Sequence, residues 1–245
     1  MNYFKVIIIL YSIKISSGIL PPTIPVCRRN NPNMSQCIAS AIEVLKPRLA
    51  SGDVGGGYTV PKIDPLFVNE INFGENDGVA VRLSGVNMHG ISGFKLDKLR
   101  ANINDLKFDI LITIPKLTTT AKYEMGFKFL GNKLNTNGDF FITHENMKIL
   151  IPIRLRRVIK NGIEVIRVDP IAVNILNFKV TKINFSNLFG GNKAIEDIIY
   201  TILINNSDFS SKNVRPAFEG NLSKIFTDVA NRILDTTTFD EMFPI

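Results

Sequence analysis

Apolar and polar residues alternate along the middle of the chain, a pattern typical of β-strands with one buried face. Val79, Val81 and Leu83 share one phase, and the phase shifts at Ser84-Gly85, which predicts a β-bulge. Three further runs have the same period of two: Leu106, Phe108, Ile110, Ile112 and Ile114; Tyr123, Met125, Phe127 and Phe129; Met147, Ile149, Ile151 and Ile153. Each run predicts a strand.

Turn signals lie between these runs. Asn137-Gly138 and Asn161-Gly162 are dipeptides typical of tight hairpin turns. A last strand is predicted from about Ala172 to Phe185. Residues 66–185 are therefore predicted to form a long antiparallel meander.

Helical periodicity flanks the strand region on both sides. Asn33 is placed to cap a helix that extends to about Leu49 and ends at the run Gly52–Gly57. A short helix is predicted over Ile195–Ile202. A longer helix near the C-terminus has an apolar stripe formed by Phe218, Leu222, Ile225, Phe226, Val229 and Ile233.

The alternating strands require an apolar partner for their buried face, and the long C-terminal helix can supply it. We therefore predict a single-domain α+β fold in which a curved antiparallel sheet wraps around a long helix. The chain has 17 phenylalanines, 5 tyrosines and no tryptophan, which suits an interior made of apolar contacts. An apolar tunnel remains wherever side chains do not fill that interior.

The N-terminal 18 residues differ from the rest of the chain. Lys5 precedes the apolar run Val6–Leu10, and Ser16-Ser17-Gly18 supplies small residues suited to cleavage. We interpret residues 1–18 as a secretory signal peptide. An N-terminal membrane anchor is the alternative, but the run is too short to span a bilayer comfortably. The mature domain, residues 19–245, is expected to be soluble, secreted and extracellular.

The chain is mildly basic. Its net charge of +7 becomes +5 without the two lysines of the signal segment. The charges are scattered, and no zinc-finger, RNA-binding or basic-helix signature is present, so we expect no nucleic-acid partner.

Two cysteines, Cys27 and Cys37, stand just after the signal segment. In an oxidising compartment they predict one disulfide. A metal pair is the alternative, but His89 and His144 lack ligand-like spacing, and we expect no metal. Four N-x-S/T sequons are candidate glycosylation sites: Asn33, Asn184, Asn205 and Asn221.

Catalytic motifs are scarce. The chain has no G-x-S-x-G elbow, and Gly90-Ile91-Ser92-Gly93 has the wrong spacing. His144, followed by Glu145, could act as a base, but the lack of partners favours a strand-edge histidine near a turn. Gly55–Gly57 follows a helix and fits a loop better than a phosphate-binding site. We expect no catalytic residue and no cofactor.

Short motifs stand in a distinctive order along residues 20–245. They are the Cys27 and Cys37 pair, Ile63-Asp64-Pro65-Leu66, Gly90-Ile91-Ser92-Gly93-Phe94, Asn137-Gly138-Asp139-Phe140-Phe141-Ile142, Phe185-Ser186-Asn187-Leu188-Phe189-Gly190-Gly191, Pro216-Ala217-Phe218 and Phe239-Asp240-Glu241-Met242-Phe243-Pro244. This ordered set resembles the takeout / juvenile-hormone-binding family of insects. Haemolymph juvenile-hormone carriers of moths in that family have a second disulfide, for which this chain lacks cysteines, so the resemblance is to takeout-like members.

The resemblance implies a TULIP-like fold that encloses a hydrophobic tunnel. It also implies a non-enzymatic carrier of juvenile hormone, a fatty acid or a similar lipophile, without stable membrane insertion. We expect a monomer. The alternative function is a secreted membrane- or partner-binding protein without a small-molecule ligand, and a secreted hydrolase is disfavoured by the missing elbow motif.

The residues expected to line the tunnel lie on the alternating apolar faces and on the C-terminal helix. They are Leu66, Phe67, Phe127, Phe129, Phe140, Ile142, Met147, Ile149, Ile151, Phe178, Phe218, Leu222 and Phe226.

Overall fold

A computed structural model describes residues 23–74, 79–129, 131–201, 210–234 and 237–245. The described helices are α1 (Met34–Ser51), α2 (Lys193–Tyr200), α3 (Arg215–Leu234) and α4 (Phe239–Met242). The described strands are β1 (Asp53–Gly55), β2 (Tyr58–Thr59), β3 (Leu66–Phe73), β4 (Val79–His89), β5 (Lys95–Asn102), β6 (Lys107–Phe129), β7 (Asn132–Lys160), β8 (Ile163–Val168) and β9 (Asn174–Phe185). A π-helical turn, Ser210–Val214, leads directly into α3.

The helix predicted near the N-terminus is confirmed as α1, which contains Pro47 without ending there. It ends at Gly52, whose left-handed backbone (φ 83°) lets its N–H donate to the Arg48 carbonyl. A Cβ atom at position 52 would lie 2.5 Å from the Val60 carbonyl oxygen, so the close approach also requires glycine. Asn33 occupies the N-cap position, but its side chain makes no capping hydrogen bond.

Seven of the described strands form one antiparallel sheet. Its path is β3-β4-β6-β7-β8, with β5 also paired to β6 and β9 also paired to β7. The long β6–β7 pair is the spine of the sheet. Besides each other, β6 pairs with β4 and β5, and β7 pairs with β8 and β9. The predicted antiparallel pairing is confirmed, but the meander is only partial because β5 and β9 leave the sequential order.

The two Asn-Gly signals have different outcomes. Asn161-Gly162 forms the predicted turn between β7 and β8, with positive φ at both residues. Asn137-Gly138 lies within β7, paired with Glu124 and Tyr123, so the predicted turn there is wrong. A Cβ atom at Gly138 would lie 2.4 Å from the Ser186 carbonyl oxygen, so this glycine serves a close backbone approach.

One position on each strand of the spine is unpaired. Ile114 pairs with Met147 and Lys116 with Glu145, which leaves Pro115 and Asn146 opposite each other without a pairing. Asn146 has a positive φ of 51°. The inward phase changes on both strands at this point, so apolar side chains face inward on both sides of it. The bulge predicted at Ser84-Gly85 is also confirmed by a register shift between β4 and β6.

The sheet curls into a half-barrel around α3, which confirms the predicted α+β, TULIP-like fold. Polar side chains of α3 attach it to the segment between β8 and β9. Asn231 accepts from the Val168 N–H at 2.9 Å, and Thr227 accepts from the Ile171 N–H at 2.8 Å. These bonds satisfy backbone groups that no neighbouring strand covers, and they fix the helix lengthwise in the half-barrel.

The chain termini close one end of the half-barrel. Cys27 and Cys37 form a disulfide, which joins the N-terminal segment to α1. The Arg29 N–H donates to the Pro244 carbonyl at 2.8 Å, and its Nε donates to the Phe243 carbonyl at 2.9 Å. The Arg29 guanidinium also lies over the Phe239 ring, 4.8 Å from the centroid. The N-terminal and C-terminal segments therefore hold each other.

The motif around Asp64 binds the motif around Gly90. The Asp64 carboxylate accepts hydrogen bonds from the Gly90 N–H and from the N–H and hydroxyl of Ser92. Burial alone would raise the pKa of Asp64, but these hydrogen bonds together lower it. The carboxylate thus fixes the corner between β4 and β5.

Candidate functional site

A first apolar cavity of about 90 Å³ lies between the sheet and the N-terminal half of α3. Six of the residues predicted to line a tunnel contribute to its wall: Phe140, Ile142, Met147, Phe178, Phe218 and Leu222. The wall is completed by Phe73, Leu83, Met88, Leu117, Thr119, His144, Ile175, Ile183, Phe185, Val214 and Arg215. The sequence reasoning missed this second set.

A second apolar cavity of about 310 Å³ lies near the C-terminal half of α3. The apolar stripe of α1 forms one wall, through Ile38, Ala41, Ile42 and Leu45. The sheet and α3 form another, through Phe108, Ile110, Ile153, Leu155, Val168, Ile171, Ala230, Ile233 and Leu234. The terminal segments close it with Ile24, Pro25, Val26, Cys27, Met242 and Phe243. No residue predicted to line a tunnel is part of this cavity.

Strands β6 and β7 and helix α3 contribute to the walls of both cavities. Each of these elements also has residues that line neither cavity and lie in sequence between the two sets of wall residues. On β7, Ile149 and Ile151 follow Met147 of the first cavity and precede Ile153 of the second. On α3, Phe226 stands between Leu222 and Ala230 in the same way, and on β6 the separating residues are Ile112 and Ile114. We call Ile112, Ile114, Ile149, Ile151 and Phe226 the divider. Ile112, Ile114 and Ile149 belong to the buried core, and Ile151 and Phe226 are partly buried and pack against it.

The other predicted lining residues have different positions. Leu66 and Phe127 are buried in the core, and the Phe127 ring lies 6.3 Å from that of Phe189. Phe67 is 55% exposed and lines neither cavity, because it has the opposite strand phase to Leu66. The side chain of Phe129 lies outside what the structure describes.

Three polar side chains, Thr119, His144 and Arg215, contribute to the wall of the first cavity. His144 lies in the middle of β7, paired with Leu117 on β6 and Val180 on β9, so its interpretation as a strand-edge residue is wrong. Burial lowers its pKa from the ordinary 6.5 to about 4, so the imidazole is neutral at pH 7. The Phe178 ring packs edge-on against it, with centroids 5.0 Å apart. Arg215 is the first residue of α3.

The remaining chemical candidates are distributed as follows. Within the described ranges, no group of three or more His, Cys, Asp or Glu side chains is placed to hold a metal ion.

Of the candidate glycosylation sites, Asn33 and Asn184 are exposed, whereas Asn221 is partly buried in α3 and donates to the Ala217 carbonyl. Asn205 and residues 1–18 lie outside the described residues. In the part of the chain that is described, no helix combines the length and apolarity needed to span a bilayer.

Comparison with protein-family models gives a match over residues 6–244, to the family described as haemolymph juvenile hormone binding protein. The chain belongs to this family. The match covers every described element, including the terminal segments that close the second cavity. A comparison with curated proteins finds no match.

Solved structures show the same fold. The crystal structure of Epiphyas postvittana Takeout 1 superposes with a TM-score of 0.70 at 20% sequence identity, covering 91% of this chain and 100% of that one. A crystal structure of lipopolysaccharide binding protein gives a TM-score of 0.40 at 11% identity, covering 86% of this chain and 38% of that one. The second likeness is too weak to support an argument. The first places this family member in a takeout-like, TULIP-like fold.

Proposed function

We propose that this protein is a secreted, non-enzymatic carrier that binds a small hydrophobic ligand inside the half-barrel. The observation that carries the proposal is the pair of apolar cavities along α3. Membership of the haemolymph juvenile hormone binding protein family supports it. The ligand class is juvenile hormone, a fatty acid or a similar lipophile.

The ligand site is proposed to extend from the first cavity across the divider to the second. The first cavity, about 90 Å³, is smaller than usual ligand pockets. The second, about 310 Å³, is at the lower end of their usual range. A long lipophile must therefore push the divider residues apart. Of the predicted lining residues, we retain Phe140, Ile142, Met147, Phe178, Phe218 and Leu222 as wall contacts, and Ile149, Ile151 and Phe226 as the movable divider.

Apolar contact alone gives moderate affinity. Burial of about a dozen methylene groups yields roughly 10 kcal/mol. Association costs of at least about 4 kcal/mol oppose it. The remainder of about 6 kcal/mol corresponds to a dissociation constant of tens of micromolar. Tighter or more selective binding requires polar contacts.

Three features support the proposal that the protein is secreted. Residues 1–18 are proposed to be a cleaved signal peptide, which leaves residues 19–245 as a single domain. The Cys27–Cys37 disulfide fits an oxidising compartment. Asn33 and Asn184 are exposed and are the better glycosylation candidates, because the Asn221 amide is engaged within a helix.

Native mass spectrometry of the mature protein, secreted from cultured cells, tests the proposal. A carrier retains a lipophile at near one-to-one stoichiometry, and organic extraction releases it for identification. After extraction, the protein should again take up fatty acids or terpenoids. A protein that emerges without bound lipid and takes up none would contradict the proposal.

A matched pair of variants locates the binding. Leu222 lines the first cavity, whereas Leu176 on β9 is 48% exposed. Leu222→Asp should abolish uptake because it buries a carboxylate in the apolar wall. Leu176→Asp should leave uptake unchanged. Circular dichroism of both variants checks that they fold, and equal uptake by two folded variants would place the ligand elsewhere.

A further inference from the structure

Two buried side-chain atoms among the described residues have no hydrogen-bond partner, and both belong to residues that line the first cavity. They are His144 Nδ1 and Arg215 Nε. Buried polar atoms in folded proteins are nearly always satisfied, so unpaired ones need an explanation. Their location at one apolar cavity indicates that a bound molecule supplies the missing contacts.

Arg215 brings a positive charge to this apolar wall. Within the described ranges, no carboxylate lies within ion-pair distance of its guanidinium. Glu219, one turn along α3, is already engaged, since its Oε1 accepts from the Ile175 N–H at 2.6 Å. A partly buried charge without a counter-ion is costly, and a ligand that carries one negative charge would compensate it.

His144 adds hydrogen bonding without adding charge. The imidazole is neutral at pH 7 because burial lowers its pKa to about 4. A neutral imidazole offers one donor and one acceptor nitrogen. The first cavity thus presents one formal charge, that of Arg215, and a neutral polar group beside the Phe178 ring.

The second cavity differs in this respect. Its described wall is apolar side chains together with the disulfide-bonded Cys27, and no unpaired buried polar atom of the described chain lies there. The interior is therefore asymmetric along α3, polar at one end and apolar at the other. An elongated molecule would bind in one direction.

We propose that the first cavity holds the carboxylate end of an amphiphilic lipophile, with Arg215 as counter-ion and His144 as a hydrogen-bonding partner, while the hydrocarbon chain points toward the second cavity. This assignment rests on the proposed carrier function and names its ligand class. A carboxylate matches the single charge and the planar fork of a guanidinium. A phosphate dianion would leave a negative charge uncompensated.

Dodecanoate and its methyl ester test the assignment, because they share a chain and differ in charge. Both are titrated against the delipidated mature protein at pH 7.4 by displacement of a fluorescent probe. The unmodified protein should bind the acid at least tenfold more tightly than the ester. Arg215→Met should weaken acid binding far more than ester binding and so remove this preference. His144→Phe should weaken acid binding by a smaller factor.

Arg232→Met is the matched control, since Arg232 lies exposed in the last turn of α3 and lines neither cavity. It should keep the full acid preference. Three results would overturn the assignment: equal binding of acid and ester by the unmodified protein, an equal loss of both ligands in Arg215→Met, or the same loss in Arg232→Met. The acid-to-ester ratio of the unmodified protein decides the matter even if a variant fails to fold. Binding of neither ligand overturns the carrier function itself.

Discussion

The two cavities lie along the same helix and between the same pair of long strands, yet they are built differently. The first has three polar side chains in its wall, Thr119, His144 and Arg215, and the last two each have an unpaired buried atom. The second is apolar and is closed by the chain termini, which the Cys27–Cys37 disulfide and Arg29 hold in place. Alternation of apolar residues makes both interiors, because one buried strand face runs past both.

On the proposed assignment, one charged residue gives direction to an otherwise apolar interior. Apolar contact is non-directional and scales with buried area, so neither cavity alone would select which end of a ligand enters it. A single guanidinium at one end changes this, since a charged group of a ligand is stabilised there and excluded from the other end. The divider decides whether the two ends act as one site.

Removal of the divider should have the largest effect. Phe226→Ala deletes a ring between the cavities, and we expect a loss of about 3 kcal/mol in the free energy of unfolding, at the lower end for such changes because Phe226 is only partly buried. Joined cavities should shift the preferred fatty-acid chain from about twelve toward sixteen carbons. Denaturant unfolding and ligand titration measure the two effects. Lys224→Ala, on the exposed face of α3, is the control, and an unchanged chain-length preference would refute the divider.

The burial of His144 should make stability depend on pH. Its pKa is about 4 in the folded protein and 6.5 when exposed, so below pH 6.5 the unfolded chain binds a proton that the folded protein resists. The free energy of unfolding should therefore fall by about 3 kcal/mol as the pH drops from 6.5 to 4. His144→Leu should remove this slope. The variant His89→Gln, at an exposed histidine, should retain it, and parallel curves for unmodified protein and His144→Leu would contradict the account.

Loss of the disulfide should affect the second cavity and spare the first. A bridge between residues separated by 10 positions contributes roughly 2–3 kcal/mol through the entropy of the unfolded chain. The double variant Cys27→Ser, Cys37→Ser should lose that amount of stability and bind long chains more weakly, with its acid-to-ester preference intact. Reduction of the unmodified protein should reproduce both changes. A lost acid preference would mean that the two cavities are not independent.

The fold was largely predictable from the sequence because its elements have strong periodic patterns. The stripe of α3 and the strand alternation both appear in the structure. The turn predicted at Asn137-Gly138 is wrong because an Asn-Gly pair occurs both in tight turns and where a glycine lets a neighbouring backbone approach closely. The contact with Ser186 that explains it joins residues far apart in the chain, which periodicity does not report.

The site was less predictable, for three physical reasons. Core and cavity walls share one sequence signal, so Leu66 and Phe140 could not be distinguished before packing was known. The inward phase changes at Pro115 and Asn146, which is what brings His144 inside. Arg215 stands at the start of the amphipathic helix α3, and its sequence position does not distinguish it from a charged residue on the exposed face.

The smallest effect is expected where the N-terminal and C-terminal segments contact each other. The neighbouring residues Arg28 and Arg29 allow a matched test there. Arg29 donates to the Phe243 carbonyl and covers the Phe239 ring, and it also pairs with the exposed Asp240. We expect Arg29→Ala to cost about 1–2 kcal/mol of stability, mainly through the hydrogen bond and the ring contact, since an exposed ion pair contributes little. Because Phe243 lines the second cavity, this variant should also release bound lipophile faster.

Arg28→Ala is the matched comparison, since the Arg28 side chain donates an exposed hydrogen bond to the Ile245 carbonyl and lines neither cavity. It should change stability by less than about 0.5 kcal/mol and leave the release rate unchanged. Thermal unfolding and stopped-flow release of a fluorescent fatty acid measure both quantities. If the two variants release ligand equally fast, the terminal segments do not gate the second cavity.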